Sequence, residues 1–200
     1  MSATSITEQN LIPHRSCGSC NVCCVALTIN DPALKKVQGY RCPNTLPDKG
    51  CAIYEDRPGT CSSFYCGWRM LKWVREPLRP DLSGVLVRMR VSVSPDRKTR
   101  TMGVIFTLLN HAALKAEGLA ESVAAAVAAG VPVYIGVPGP PGYTSSQAQI
   151  NDVLNHAVAT KDKAAVLATL RRALAKGRGG PREPIDLGRH GETGAETMGE

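Results

Sequence analysis

The sequence predicts an α+β fold, on three observations. All eight cysteines lie between Cys17 and Cys66, in a stretch with few large apolar residues that reads as a loop-rich metal module. Residues 85–93 set Val87, Met89, Val91 and Val93 on one side and Arg88, Arg90 and Ser92 on the other, the period of a half-buried strand. Further on, Ala-rich and Leu-rich stretches carry the helical period. The expected architecture is a cysteine module packed on a small body with a β-hairpin, a further strand and two to three helices. The chain divides accordingly into a flexible arm (1–16), the module (17–68), a small α/β body (69–176) and a disordered tail (177–200).

The elements follow in chain order. Val25-Ala26-Leu27-Thr28-Ile29 reads as a short strand, and Asn30 or Asp31 then caps a helix with Pro32 at its first position, ending near Gly39. Ala52-Ile53-Tyr54 is a second apolar scrap between turn signals. Gly67, Trp68, Met70, Leu71, Trp73 and Val74 suggest a short amphipathic helix before Pro77. Strands over 85–93 and 101–109 flank the turn Ser94-Pro95-Asp96-Arg97 and form the hairpin. An Ala-rich helix from Asn110 to Ala129 ends at Gly130, Val131–Val137 is a strand, and 138–145 is a loop. A helix or helix pair covers Ser146–Lys176, with Leu167, Leu170 and Leu174 at helical spacing. Beyond Gly177 the chain is rich in Gly, Pro and charge, a disordered composition. Gly136, Gly139 and Gly142 imitate a phosphate loop, but Pro138, Pro140 and Pro141 remove the N–H groups it would need.

Charge and compartment narrow the chemistry. The net charge of +7 is uneven: residues 67–104 hold nine Lys/Arg against three Asp/Glu, whereas 17–66 hold five against four. The basic stretch reads as a solvated face, or as an offset to an anionic thiolate centre. It has no helix-turn-helix pattern and little aromatic interleaving, so a nucleic-acid partner is not expected. No segment has the ~20 apolar residues of a membrane span, and residues 1–16 lack the charged-then-apolar order of a secretory signal. A cytoplasmic location without membrane contact is therefore expected. There, thiols stay reduced and cysteine clusters are more often metal ligands than disulfides.

The spacing Cys17-x-x-Cys20-x-x-Cys23-Cys24 brings several sulfurs out of one loop, followed by Cys42, Cys51, Cys61 and Cys66. Soft sulfur donors select zinc, copper(I) or iron–sulfur centres. Three close cysteines with a remote Cys42-Pro43 resemble the start of a bacterial ferredoxin motif and tilt slightly towards iron–sulfur; zinc sites more often draw two ligands from each of two arms. Adjacent side chains point apart, so Cys23 and Cys24 serve two sites, or one ligates and the other packs. The eight thiols fill two tetrahedral sites, or one site with spares. His14, His111, His156 and His190 read as structural or solvent-facing. Arg57 either donates to metal-bound sulfur or pairs with Glu55 or Asp56.

The order SCGSCNVCC (16–24), Cys42-Pro43 and GCAIYEDRPGTCSSFYC (50–66) resembles the bacterial zinc- or iron-chelating CxxCxxCC family, the YkgJ-like cysteine-cluster proteins. The resemblance spans residues 16 to 68 and includes Ile53-Tyr54, Arg57-Pro58 and Phe64; Ser62 stands where the family commonly has a basic residue. It implies metal chelation by Cys17, Cys20, Cys23, Cys24, Cys42, Cys51, Cys61 and Cys66, with zinc or iron, the latter also as an iron–sulfur cluster. Flagellin lysine methylases carry a similar motif within much larger chains.

A metal-thiolate protein is therefore the expected function. The alternatives are an enzyme using a thiolate-bound cluster for redox or methyl transfer, and a thiol-based metal-delivery protein. The rest of the chain offers no catalytic His/Asp/Glu or Ser/His constellation, so catalytic residues are unassigned, as is any protein partner.

Overall fold

The computed structural model describes residues 11–93 and 98–188. The alternating 85–93 segment is strand β5 (Val85–Val93), antiparallel to β6 (Arg100–Leu108) from Val85↔Leu108 to Val93↔Arg100. The turn expected at 94–97 lies outside the described residues. β6 then pairs in parallel with β7 (Val133–Val137), and β7 in antiparallel with β8 (Ser146–Gln149), giving one sheet in the order β5-β6-β7-β8. Parallel neighbours require a crossover, and the α-helical stretch between β6 and β7 supplies it.

Alternation puts Val85, Val87, Val104, Phe106, Val133 and Ile135 into one continuous core. Leu119 and Val123 of α5 (Leu119–Ala128), Leu154 of α6 (Asn151–Ala159), and Leu170 and Leu174 of α7 (Lys163–Gly179) close over it. Each such fully buried aliphatic side chain contributes about 1.5–3 kcal/mol. Trp68, Val74 and Leu78 join the same core from the segment that follows the last cysteine. The body and the end of the cysteine module are thus one packed unit. The fold class is α+β, as expected from the sequence.

The module consists of short pieces. These are α1 (Cys23–Ala26), the two-stranded β1 (Ile29–Asp31) and β2 (Leu34–Lys36), the two-stranded β3 (Thr45–Leu46) and β4 (Gly50–Cys51), and α2 (Gly59–Ser62). α3 (Gly67–Met70) and α4 (Pro80–Ser83) lead into the sheet.

Several local expectations need correction, each for a physical reason. The strand expected over 25–29 begins only at Ile29: the Val22 carbonyl accepts from Val25 N (3.1 Å) and Ala26 N (2.8 Å), so Val25 and Ala26 coil into α1. No helix starts at Asp31. Its carboxylate accepts from Ala33 N (3.0 Å) and from Thr60 N (3.1 Å) and Oγ1 (3.0 Å), making a turn with Pro32 at its corner between β1 and β2. The helix after Gly67 stops at Met70, because the Arg15 guanidinium takes the Trp68 (2.6 Å), Leu71 (3.3 Å) and Val74 (2.9 Å) carbonyls.

The helix expected over 110–129 is broken. Asn110 caps a 3₁₀ turn over His111–Lys115, and α5 begins only after Gly118, whose φ of 81° suits glycine. A Cβ there would also stand 2.5 Å from Arg75 Cβ. Residues 146–149 form β8 rather than helix, because the open edge of β7 takes this polar segment.

The arm and tail boundaries also shift. Leu11, Ile12 and Arg15 are buried, so residues 11–16 are not a loose arm; residues 1–10 lie outside the described residues. Residues 182–187 are not loose tail either: Thr144 N donates to Glu183 O (2.8 Å), Ile185 N to Gly142 O (2.8 Å) and Asn30 Nδ2 to Leu187 O (3.1 Å). Residues 189–200 lie outside the description.

Candidate metal centre

Three backbone devices gather the cysteines. Cys17 and Cys20 close one turn, with Cys20 N donating to Cys17 O at 2.8 Å and Gly18 at a φ of 51°. Cys23 and Cys24 open α1, where successive side chains diverge by ~100°. Cys42 N donates to Cys24 O (3.0 Å), which pins the Cys42 loop to α1. β4 carries Cys51, paired across the ladder with Thr45, while α2 carries Cys61, and Cys66 precedes α3. Gly50 is needed for the packing of β4 on the first turn: its φ is 83°, and a Cβ would meet Gly18 O at 2.7 Å.

The electrostatics divide the eight thiols into two neighbourhoods. In the first, Cys20 is pushed up to about 11 by burial, with the Asp81 carboxylate and the Cys66 thiol adding to it. Burial also raises Cys66, reinforced by Cys17. The charges of Cys17 and Cys20 both act on Cys23. These influences connect Cys17, Cys20, Cys23 and Cys66 pair by pair. In the second, burial raises Cys61, and Cys24, Cys42 and Cys51 reinforce it. The boundary runs between Cys23 and Cys24. Cys23 donates its S–H to Cys24, which raises Cys23 and lowers Cys24.

Hydrogen-bond donors and cations face these sulfurs. The Val22 and Asp81 N–H groups point to Cys20 and the Trp68 N–H group to Cys66, whose carbonyl accepts from Arg69 N (2.9 Å), while Arg69 Nη1 reaches Cys17 Sγ at 3.7 Å. The Thr45 hydroxyl is buried without a hydrogen-bond partner among the described residues, and its side chain acts to lower Cys24. Lys36 and Arg57 also lower Cys24. Donors and positive charge favour the thiolate at Cys24, whereas burial holds Cys20, Cys61 and Cys66 towards the thiol.

All eight cysteines are free thiols. Among the described residues, no three His, Cys, Asp or Glu side chains already converge into a sphere that could hold a metal ion. Thiolate donors are of the kind that suits zinc or iron.

No family model, curated protein or solved structure significantly matches this chain.

The other candidates behave differently. His14 lies 3.4 Å from Glu76 Oε2, away from the sulfurs, while His111 and His156 are exposed on the 3₁₀ turn and α6; His190 is outside the description. Arg57 pairs with neither Glu55 nor Asp56. Its Nε donates to Tyr54 O (2.7 Å), its guanidinium lies 3.7 Å from the Tyr54 ring centroid, and its charge reaches Cys24 and Cys61. Sequence reasoning missed Lys36, Thr45 and Arg69, none of which falls in a recognisable spacing. Beside the first neighbourhood lies an open groove of 430 Å³, with Val22, Asp81, Leu82, Asn110 and Lys115 in its wall. No described helix is long and apolar enough to cross a membrane.

Proposed function

We propose that this protein is a metal-thiolate protein holding zinc or iron in two four-cysteine sites, one of Cys17, Cys20, Cys23 and Cys66, the other of Cys24, Cys42, Cys51 and Cys61. The observation that supports this reading is that eight free thiols act on one another within one module, Cys20, Cys23 and Cys66 with Cys17 on one side, Cys61 with Cys24, Cys42 and Cys51 on the other, the two sides meeting at the Cys23–Cys24 pair. The resemblance of the cysteine order to the CxxCxxCC chelating family supports it, as does a cytoplasmic setting that keeps thiols reduced. Bound metal would supply either cross-linking of the loops or, as an iron–sulfur cluster, one-electron chemistry.

A second reading is an enzyme using such a centre for redox or methyl transfer. The groove beside Cys20 favours it, since its wall includes the Asp81 whose N–H points to that sulfur.

The test is anaerobic purification followed by metal and sulfide analysis and an absorption spectrum. Two zinc ions per colourless chain, or iron and sulfide with absorbance near ~400 nm, are the expected alternatives. Metal-free anaerobic protein with paired disulfides would sink the proposal.

A further inference from the structure

Strands β5, β6, β7 and β8 contain no Asp or Glu. The face of their sheet opposite the helix-covered core nevertheless carries two arginines, Arg88 and Arg90, two positions apart on β5. Arg88 is half-buried, and its Nε is shut off from solvent with no hydrogen-bond partner. Among the described residues its guanidinium also makes no ion pair and no ring contact. An arginine does not shed its proton to escape such a position, so the sheet keeps a shielded charge there. Leaving a buried donor unpaired costs folding free energy, and nothing within the sheet offsets it.

The second arginine is held in place by neutral groups. Register sets Arg88 opposite Ile105 and Arg90 opposite Gly103, with Tyr134 beside Ile105 on the next strand. Gly103 keeps the floor bare: a Cβ there would stand 2.8 Å from Pro132 O and 3.3 Å from Tyr134 Cε2. Across that gap the Arg90 guanidinium lies over the Tyr134 ring, 4.6 Å from its centroid. Its Nε donates to Ser92 Oγ (3.2 Å) and its Nη1 to Gln147 Oε1. These contacts lay Arg90 along the sheet, where its charge acts on Arg88, and supply no negative charge to either. Positions two apart on a strand are about 7 Å apart, a span that two guanidinium forks can close on one tetrahedral oxyanion.

We infer that Arg88 and Arg90 form an anion site on this face of the sheet that takes a phosphate group, free or as a monoester, with Arg90 positioned by Tyr134 and Gln147. Two positive charges match the charge of about −1.5 to −2 on such a group near neutral pH, whereas a carboxylate brings only one. The site goes beyond the metal-thiolate reading and does not rest on it, since none of these residues lies between Cys17 and Cys66.

The experiment titrates full-length protein, kept reduced, with inorganic phosphate, phenyl phosphate and acetate at matched ionic strength. Calorimetry and thermal melts follow binding. Wild type should bind both phosphates and favour them over acetate, and the tighter of the two tells a free ion from an ester. Arg88→Met should weaken phosphate binding about 10–100-fold, the range for losing a hydrogen bond to a charged group. It should nevertheless melt no lower than wild type in phosphate-free buffer, because it removes an unpaired charge. Arg90→Gln should weaken phosphate binding as well. Acetate binding as tightly as phosphate, or melts that follow ionic strength alone, would overturn the inference. So would a lower phosphate-free melting temperature in Arg88→Met with phosphate binding intact, since Arg88 would then serve packing only. Should Arg88→Met fail to fold, Arg90→Gln decides, and undiminished phosphate binding in it overturns the site.

Discussion

Arg15 shows how much one side chain holds. Its guanidinium stacks on the Trp68 ring at 5.4 Å, donates to three carbonyls and binds Glu76 Oε2 at 2.7 Å. Arg15→Ala would strand buried carbonyl oxygens, so a loss of about 3 kcal/mol in urea unfolding is expected. Cys20 gives a pH prediction. Its pKa rises from an ordinary 9.0 to about 11, mainly through burial. A raised folded pKa contributes stability that is complete below the unfolded value and is lost as pH climbs through the folded one. Metal-free protein should therefore lose stability between pH 9.0 and about 11, as followed by thermal melts, and Cys20→Ser should flatten that slope. At this scale the cysteines were legible, because their spacing is unusual whatever surrounds them. Arg15 and Lys36 were not: among 24 Lys and Arg, nothing in their local sequence separates a buried cation from a solvated one.

Elements were legible where a long periodic run decided them. The β5–β6 hairpin follows from the alternating sequence of 85–93 and the apolar run after Gly103, which pair locally as nine-residue strands. The module's elements are two to four residues long, and their partners lie far along the chain. Asp31 shows the difficulty: it reads as a helix cap locally, yet its second oxygen is taken by Thr60, 29 residues away. β8 depended similarly on the free edge of β7 rather than on its own polar residues. A prediction belongs here too. Gly50→Ala forces an L side chain into a positive φ and against Gly18 O, at a cost of about 1–3 kcal/mol. Because that contact seats β4 on the Cys17–Cys20 turn, the proposed zinc-loaded protein should also release its metal faster to a chelator in this variant than in wild type.

For the whole molecule, the sheet and its helices have a core of their own, whereas the module between Cys17 and Cys66 has few buried apolar residues. If the module holds metal as proposed, removing it should therefore act unevenly. Amide exchange in the chelated protein should accelerate across 17–66 and stay slow across β5, β6, β7 and α7; uniform acceleration would contradict a metal-supported module. The carboxyl-terminal segment bears on the same point. By reaching Asn30 through Leu187, it ties the module to the body from the far side of the chain.

The four-residue α1 carries one cysteine of each set on consecutive positions. Under the proposed two-site reading, seating Cys23 in one centre would fix the rotation of that helical turn, and with it the direction of Cys24. The ordering entropy for the second centre is then already spent when the first is filled. Loading should be cooperative: a zinc titration should climb more steeply than for two independent sites, and half-loaded chains should be scarce by native mass spectrometry. By reciprocity, stripping either ion should loosen the other by the same factor.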